Sequence, residues 1–154
     1  YPNISRYWFW RLDYYLWERR KELFNKEDQR IVEAYIFRTN RSIEHLHPQD
    51  ESYNDTWNED VTNGFGNLAM ISQSFNSQQS NDNVRVKFAR IQEQIDNKSL
   101  QSIKLLKMFR MAEDDHTKWN ENLAEKHLDD MCKILNESFH NSDSNNTEDM
   151  KEGD

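Results

Sequence analysis

Glycine and proline are scarce in this chain, and their positions constrain the fold more than any other feature. The 154 residues contain three glycines and two prolines. These residues disfavour helix interiors more than any others, so a chain this poor in them is expected to be mostly helical. Away from the two ends of the chain they occur only at Pro48, Gly64 and Gly66. We therefore predict a mostly α-helical protein with one irregular region around these three residues.

Apolar residues at helical spacing are found on both sides of this region. They predict helices over 3–24 and 28–39 before it, and over 84–95, 98–111 and 117–138 after it. In the first two helices, the side chains expected to face the core are Ile4, Trp8, Leu12, Tyr15, Leu16, Ile31, Val32, Tyr35 and Ile36. His116 and His127 lie among charged residues and are expected to face solvent.

The central region has the pattern of a small β hairpin. Residues 42–47 alternate polar and apolar side chains and stop at Pro48, which is typical of a short strand. A second apolar run, 68–71, directly follows the glycines, while the polar stretch 49–63 between the strands has Trp57 as its one large apolar anchor. Residues 76–81 then predict the start of a short helix.

The fold class predicted from these elements is α+β, mostly helical, with helical flanks around a short two-stranded hairpin. We divide the chain into an N-terminal helical segment (1–40), a ββα insert (41–81), C-terminal helices of the same domain (82–139) and a tail (140–154). The tail is rich in Ser, Asn, Asp and Glu without an apolar period, and this composition predicts disorder.

The net charge of −8 is unfavourable for binding nucleic acid. From Glu137 onwards there are six acidic residues and one lysine, so this end alone carries five of the eight net negative charges. The rest of the chain is still not basic, and a nucleic-acid enzyme of this kind would need local basic patches, a metal or a partner domain. The single cysteine, Cys132, excludes an internal disulfide and fits the cytoplasm. No apolar run is long enough to span a membrane. Because the chain begins without Met, we expect it to be part of a longer protein.

The insert contains the residue types that phosphodiester hydrolysis requires. A neutral histidine can take the proton of the attacking water. A hard divalent cation such as Mg²⁺ needs only one or two oxygen ligands from the protein. Glu44, His45, Asn67 and Asn76 provide these groups. A Glu-His pair at a strand end is by itself more often a surface feature, so the order and spacing of the whole set carry the hypothesis.

That order and spacing resemble a known nuclease motif. Glu-His-Leu-His-Pro-Gln at 44–49 resembles the Asp-His-Ile-x-Pro-Gln opening of HNH (ββα-metal, His-Me finger) nucleases, and Gly66-Asn67-Leu68 resembles their middle Asn-Leu element. Asn76, nine residues later, has the spacing of their final Asn. The segments 41–49, 66–72 and 76–81, with Lys87 and the helix Trp119 to Met131, more closely resemble the C-terminal HNH-like domain of GmrSD-type modification-dependent restriction proteins. This resemblance covers roughly residues 35–135.

The resemblance implies a role for each motif residue. His45 would be the general base that activates water, and Glu44 and Asn76 would hold the metal. Asn67 would tie the connecting loop and orient His45. Glu44 stands where most HNH sites have Asp, and its longer side chain moves the carboxylate. Mg²⁺ is the expected cation, with Mn²⁺ as the alternative.

Three further residues have two interpretations each. His47 would contact the scissile phosphate or donate to the leaving group, or else cap the loop after Pro48. Lys87 would reach a phosphate, or else be a solvated lysine. Arg41, like Arg38, would contact the DNA backbone, or else pair with the acidic loop that follows.

The function expected from the resemblance is metal-dependent endonuclease activity on DNA, as the effector part of a cytoplasmic restriction or phage-defence protein. The partner expected in that family is an N-terminal ParB-like nucleotide-hydrolysing domain. Two alternatives stay open at this point. One is a catalytically degenerate, HNH-like helical binding module, and the other is a nuclease acting on RNA.

Overall fold

The fold is described by a computed structural model, which covers residues 4–48, 57–72 and 84–151, with side chains as far as His140. The helices before the hairpin are α1 (Arg6–Glu18), α2 (Arg20–Leu23) and α3 (Lys26–Glu33). Strands β1 (Arg41–His45) and β2 (Leu68–Ser72) are separated by the short helix α4 (Glu59–Thr62) and a 3₁₀ turn (Phe65–Asn67). Helices α5 (Val84–Asp96), α6 (Ile103–Met111) and α7 (Glu121–Lys151) follow. The protein is therefore mostly helical with a two-stranded hairpin, and the predicted fold class is confirmed.

The N-terminal helices are shorter than their apolar patterns predict. The helix expected over 3–24 breaks at Arg19, and its predicted core residue Trp8 is 38% exposed, whereas Phe9 is buried. The helix expected over 28–39 ends at Glu33, which leaves Ile36 exposed. Residues 35–39 are aromatic or β-branched apart from Arg38, and such residues are weak helix formers. The Tyr35 hydroxyl donates to Asp13 of α1, so the extended segment 35–40 lies along that helix.

The two strands pair antiparallel over five residues, from Arg41 opposite Ser72 to His45 opposite Leu68. Side chains of a strand alternate between the two faces of a sheet. Arg41, Ile43 and His45 therefore share one face of β1, and Glu44 lies on the other. The predicted strands 42–47 and 68–71 are confirmed with small shifts, since β1 ends at His45 and β2 runs to Ser72.

The core lies between the hairpin and the surrounding helices. Phe9 of α1 packs against Phe65 of the 3₁₀ turn, with ring centroids 4.7 Å apart. Gly66 passes so close to α7 that an added Cβ would lie 2.1 Å from the carbonyl oxygen of Ala124. Only glycine allows this approach, which explains why one of the rare glycines stands here.

The C-terminal helices also differ from their predicted bounds. The helix expected over 98–111 begins at Ile103, because Asp13 of α1 accepts the backbone N–H of Lys104 and the hydroxyl of the cap residue Ser102. Helix α7 begins at Glu121 and continues to Lys151, into the segment whose composition predicts disorder. Neither Gly nor Pro interrupts the chain between these residues, so no strong breaker ends the helix earlier. No helix in the described parts of the chain is both long and apolar enough to cross a membrane.

Candidate functional site

His45 is the last residue of β1, and its ring is held by the turn after α4. Its Nε2 lies 2.9 Å from Oδ1 of Asn63. An amide oxygen only accepts hydrogen bonds, so Nε2 carries the proton and Nδ1 keeps its lone pair. Burial lowers the pKa of His45 below its usual value of 6.5, opposed by the Asn63 hydrogen bond and assisted by the charge of Lys87. The half-buried imidazole is therefore neutral at pH 7, with Nδ1 able to accept a proton.

Lys87 holds the backbone at this point of the hairpin. Its ammonium group donates to the carbonyl oxygens of His45 (2.9 Å) and Leu46 (3.1 Å). The residue is only 7% exposed, so the solvated lysine offered as one interpretation is wrong. The reason is the position of α5, which brings this side chain within hydrogen-bonding distance of the carbonyls at the end of β1. The other interpretation, a contact with phosphate, stays a prediction.

Asn67 connects the end of the 3₁₀ turn with the segment that follows β1. Its side chain is fully buried and makes three hydrogen bonds. Oδ1 accepts the N–H of His47 at 2.9 Å, while Nδ2 donates to the carbonyl of His47 at 3.0 Å and to that of Thr62 at 2.9 Å. These bonds set the path of the chain directly after His45. The ring of His45 itself is oriented by Asn63, four residues earlier, and not by the Asn67 amide.

The predicted strand 42–47 would place His45 and His47 on the same face of the sheet. In the structure they do not share a face. The strand ends at His45, and His47 lies in the bend that follows, 9% exposed. Its ring stacks on Trp57, with centroids 4.0 Å apart and planes 14° from parallel. Trp57 thus packs against the end of the hairpin, two residues before α4 begins. These contacts match the loop-holding interpretation of His47, and its role towards a phosphate stays a prediction.

Glu44 is the carboxylate nearest in sequence to His45. It is half-buried, and burial raises its pKa above the usual value, opposed by a hydrogen bond from Ser42 and by the charge of Lys87. Desolvation of this kind is relieved when a cation binds. The second expected metal ligand, Asn76, lies outside the described residues. Within the described ranges, no group of three or more His, Cys, Asp or Glu residues is placed to hold a metal. Magnesium needs only one or two protein oxygens, so a carboxylate such as Glu44 fits its donor preference.

Arg41, at the start of β1, is 7% exposed. It makes no ion pair with any described residue, and one long hydrogen bond joins it to Asn40. Most of the acidic loop with which Arg41 was expected to pair lies outside the described residues, so that contact stays a prediction. The alternation of β1 turns this side chain towards α1 and the segment 35–40, away from solvent. The expected contact with the DNA backbone also stays a prediction, and the burial of Arg41 means that its side chain would have to be reached through the surrounding residues.

The two histidines expected to face solvent both pack against other side chains, His127 completely buried and His116 half-buried. His116 stacks on Phe109, with ring centroids 3.9 Å apart, and hydrogen-bonds the Phe109 carbonyl. His127 is fully buried, and burial lowers its pKa well below 6.5. The expectation was wrong because it considered charged sequence neighbours. His127 is spaced helically with the buried Ala124 and Met131, and this spacing decides which side of α7 it occupies.

Sequence analysis missed two residues that shape the site. Asn63 sits in a polar stretch with many similar side chains, and the Asn-Gly pair it forms with Gly64 signals only a turn. Lys104 of α6 is completely buried, and its ammonium group donates to the carbonyl of Leu68 at 2.6 Å. Leu68 is the partner of His45 in the hairpin register. Buried lysines from α5 and α6 thus hold both strands at the end that carries His45.

Comparisons with known proteins identify the family of the chain. A family model described as GmrSD restriction endonucleases, C-terminal domain, matches residues 2–134. No curated protein and no solved structure matches the chain. The match covers the hairpin, the flanking helices and the first part of α7. The chain therefore belongs to the family of C-terminal domains of GmrSD restriction endonucleases, and is a nuclease domain of the restriction-endonuclease type.

Proposed function

We propose that this domain is an HNH-type, metal-dependent endonuclease that hydrolyses DNA phosphodiester bonds, with His45 as the general base. The observation that carries the proposal is the hydrogen bond between His45 Nε2 and Asn63 Oδ1. It assigns the proton to one ring nitrogen and leaves the other ready to take a proton from water. The lowered pKa of His45 supports the same role, because a base must be unprotonated at working pH.

The reaction follows from these groups. His45 Nδ1 takes a proton from a water molecule as the water oxygen attacks phosphorus. A new P–O bond forms and the ester P–O bond to the leaving oxygen breaks. The leaving oxygen takes a proton from solvent water, and the imidazolium of His45 afterwards returns its proton to solvent. Proton transfer by a positioned side chain contributes about 10²- to 10⁴-fold to such a rate. The amide oxygen of Asn63 accepts Nε2–H from both the neutral and the protonated ring. This hydrogen bond is stronger when the ring is charged, so Asn63 stabilises the imidazolium.

The divalent cation, Mg²⁺ or Mn²⁺, would be held by Glu44 together with Asn76. When bound, it neutralises charge on the phosphate and assists the leaving oxygen. The raised pKa of Glu44 supports this assignment, because burial partly removes the carboxylate from water and a bound cation would offset that cost. Lys87 contributes by fixing the backbone carbonyl of His45, which restricts the position of the base.

The negative charge of the chain supports the proposal that another domain binds the DNA. The net charge is −8, and affinity for DNA depends mainly on neutralising phosphates. An N-terminal ParB-like nucleotide-hydrolysing domain, in the same protein or in a partner, would supply this function. We place the complete protein in the cytoplasm, as a restriction or phage-defence effector.

The test is cleavage of supercoiled plasmid by the 154-residue chain and by His45→Ala, each with Mg²⁺, with Mn²⁺ and with EDTA. We expect nicking or linearisation that needs the cation and falls by at least about 10²-fold in His45→Ala. His140→Ala is the matched control, because His140 is an exposed histidine on α7 outside the hairpin, and this variant should retain activity. Cleavage that survives in His45→Ala would show that His45 is not the general base. Equal cleavage with and without EDTA would show that the reaction does not depend on a divalent cation.

A further inference from the structure

A second concave site lies on the hairpin, away from Asn63. It is a cavity of about 190 Å³ between α1, the extended segment 35–41 and Met70 of β2. The residues that define it are Trp10 and Asp13 of α1, Tyr35 and Phe37 of the segment, and Arg41 of β1. None of these residues has a part in the proposed hydrolysis.

The mouth of this cavity is aromatic and unusually exposed. Trp10 is 43% and Phe37 is 44% exposed, so both rings present large apolar faces to solvent. The Phe37 ring lies edge-on to Tyr35, with centroids 4.8 Å apart. Exposed aromatic faces beside a cavity are a platform on which flat rings stack.

The cavity is mostly apolar, but one of the few polar groups in its wall is unsatisfied. Arg41 is 7% exposed, and its Nε is buried without a hydrogen-bond partner in the described residues. Burying a polar donor without an acceptor costs free energy, which a ligand with an acceptor would recover. Asp13 supplies a buried carboxylate on the opposite wall, where it already accepts from Ser102 and from the Lys104 N–H. The cavity wall therefore contains one buried, unsatisfied donor and one carboxylate that already accepts hydrogen bonds.

We propose that this cavity binds a single nucleobase, unstacked from its strand, with the ring on Trp10 or Phe37 and an acceptor edge on Arg41 Nε. This combination of stacking face and hydrogen-bonding edge is what unstacked bases require. A cavity of about 150 Å³ holds one benzene molecule, so about 190 Å³ suits one six-membered ring with its substituents, a pyrimidine. The carboxylate of Asp13 disfavours a phosphate in the same space. A purely apolar ring would leave Arg41 unsatisfied.

The position of the cavity connects it with the hairpin end. Arg41 and His45 lie on the same face of β1, four residues apart, which is about 13 Å at 3.3 Å per residue. One strand of nucleic acid spans this distance within a few nucleotides. The base held at Arg41 would thus belong to the strand presented to His45. That link rests on the proposed nuclease function, whereas binding of the base does not.

The test measures binding in EDTA, where no metal-dependent cleavage occurs. The full 154-residue chain is titrated against fluorescent eight-nucleotide oligomers of thymidine, of deoxyadenosine and of an abasic backbone, with anisotropy as the readout. We expect thymidine oligomers to bind more tightly than deoxyadenosine oligomers, and both at least about 5-fold more tightly than the abasic backbone.

Substitutions of the two exposed aromatic residues test the cavity without disturbing the core. Trp10→Ser and Phe37→Ser should each weaken thymidine-oligomer binding by about 5-fold or more and leave abasic binding unchanged. Trp8→Ser is the matched control, because Trp8 is on the same helix, is 38% exposed and packs on Tyr7 and Phe139 instead. Equal binding of abasic and base-containing oligomers overturns the proposal. Equal losses in Trp8→Ser and Trp10→Ser also overturn it. The two proposals can fail separately. If the oligomers bind through their nucleobases but His45→Ala still cleaves plasmid, His45 is not the general base and the nucleobase site is retained.

Discussion

The Nε2 atom of His45 lies 2.9 Å from Oδ1 of Asn63, although the two residues are separated by 18 positions in the chain. Since this contact sets the tautomer of the ring, Asn63→Ala is expected to lower the cleavage rate by about 10- to 100-fold, as the loss of groups that orient functional side chains does. Plasmid cleavage at saturating Mg²⁺ measures the effect.

Asn63→Asp separates this positioning role from a structural one. A carboxylate beside the ring stabilises the imidazolium and raises the pKa of His45. The acidic limb of the kcat/KM profile should therefore move to higher pH, while activity at high pH is retained. A profile that keeps its wild-type limb would show that the contact does not tune the base. Asn58→Ala, which removes only the cap of α4, is the control.

Asn67→Ala is expected to destabilise the fold. It removes three buried hydrogen bonds and leaves the N–H and C=O of His47 and the C=O of Thr62 without them. Each unsatisfied buried group costs about 1–3 kcal/mol, so the free energy of unfolding should fall by at least about 3 kcal/mol. Urea unfolding followed by circular dichroism measures this. Asn58→Ala again serves as the control. Loss of this exposed helix cap should lower the free energy of unfolding by about 1 kcal/mol. Similar losses in the two variants would contradict the tying role of Asn67.

Gly66→Ala tests the close approach of the 3₁₀ turn to α7. The added Cβ would lie 2.1 Å from the Ala124 carbonyl oxygen and 3.0 Å from the Leu128 Cβ, so backbone must move. Overpacking of this kind costs about 1–3 kcal/mol, and because Asn67 follows directly, cleavage should fall with stability. A change within about 0.5 kcal/mol in urea unfolding, typical of a surface substitution, would show that α7 shifts freely away from the turn.

The sequence predicted the parts of this site that depend on local pattern. The hairpin and the positions of His45 and Asn67 follow from alternation, the two glycines and the motif spacing. The buried lysines could not be predicted in this way. Lys87 and Lys104 stand in amphipathic helices where a lysine usually marks the solvent face, and only the position of the hairpin carbonyls explains their burial. Asn63 was missed for the same reason, because its partner is defined by the folded turn and not by sequence distance.

Glu44→Gln tests the metal assignment without relying on activity. Loss of a group that only supports a metal ligand costs about 10- to 100-fold in affinity, and loss of a ligand should cost at least as much. Calorimetric titration with Mn²⁺ in the absence of nucleic acid measures the affinity. Glu59→Gln, an exposed glutamate on α4, is the matched control and should bind as wild type. Unchanged affinity in Glu44→Gln would exclude this carboxylate as a ligand.

Lys104 predicts a rise of stability on the alkaline side of neutrality. Burial lowers its pKa from 10.5 to about 7, with Asp13 and Cys132 acting in the opposite direction. Between about pH 7 and 10.5 the unfolded chain therefore binds a proton that the folded chain does not, and the free energy of unfolding increases with pH through this window. Below about pH 7 the lysine is charged in both states and the desolvation cost is present in full.

Lys104→Met isolates this contribution. It keeps the side-chain length, removes the titrating group and gives up the hydrogen bond to Leu68. The difference in unfolding free energy, wild type minus variant, should increase from pH 7 to pH 10 by an amount on the order of a few kcal/mol. Urea unfolding at half-unit pH intervals measures this difference, and Lys118→Met, on an exposed side chain, provides the flat reference. A difference between wild type and Lys104→Met that stays constant across this window would mean that the lysine remains charged in the folded protein. Its ammonium group would then hold Leu68, the strand partner of His45, as a buried cation throughout the working pH range of the site.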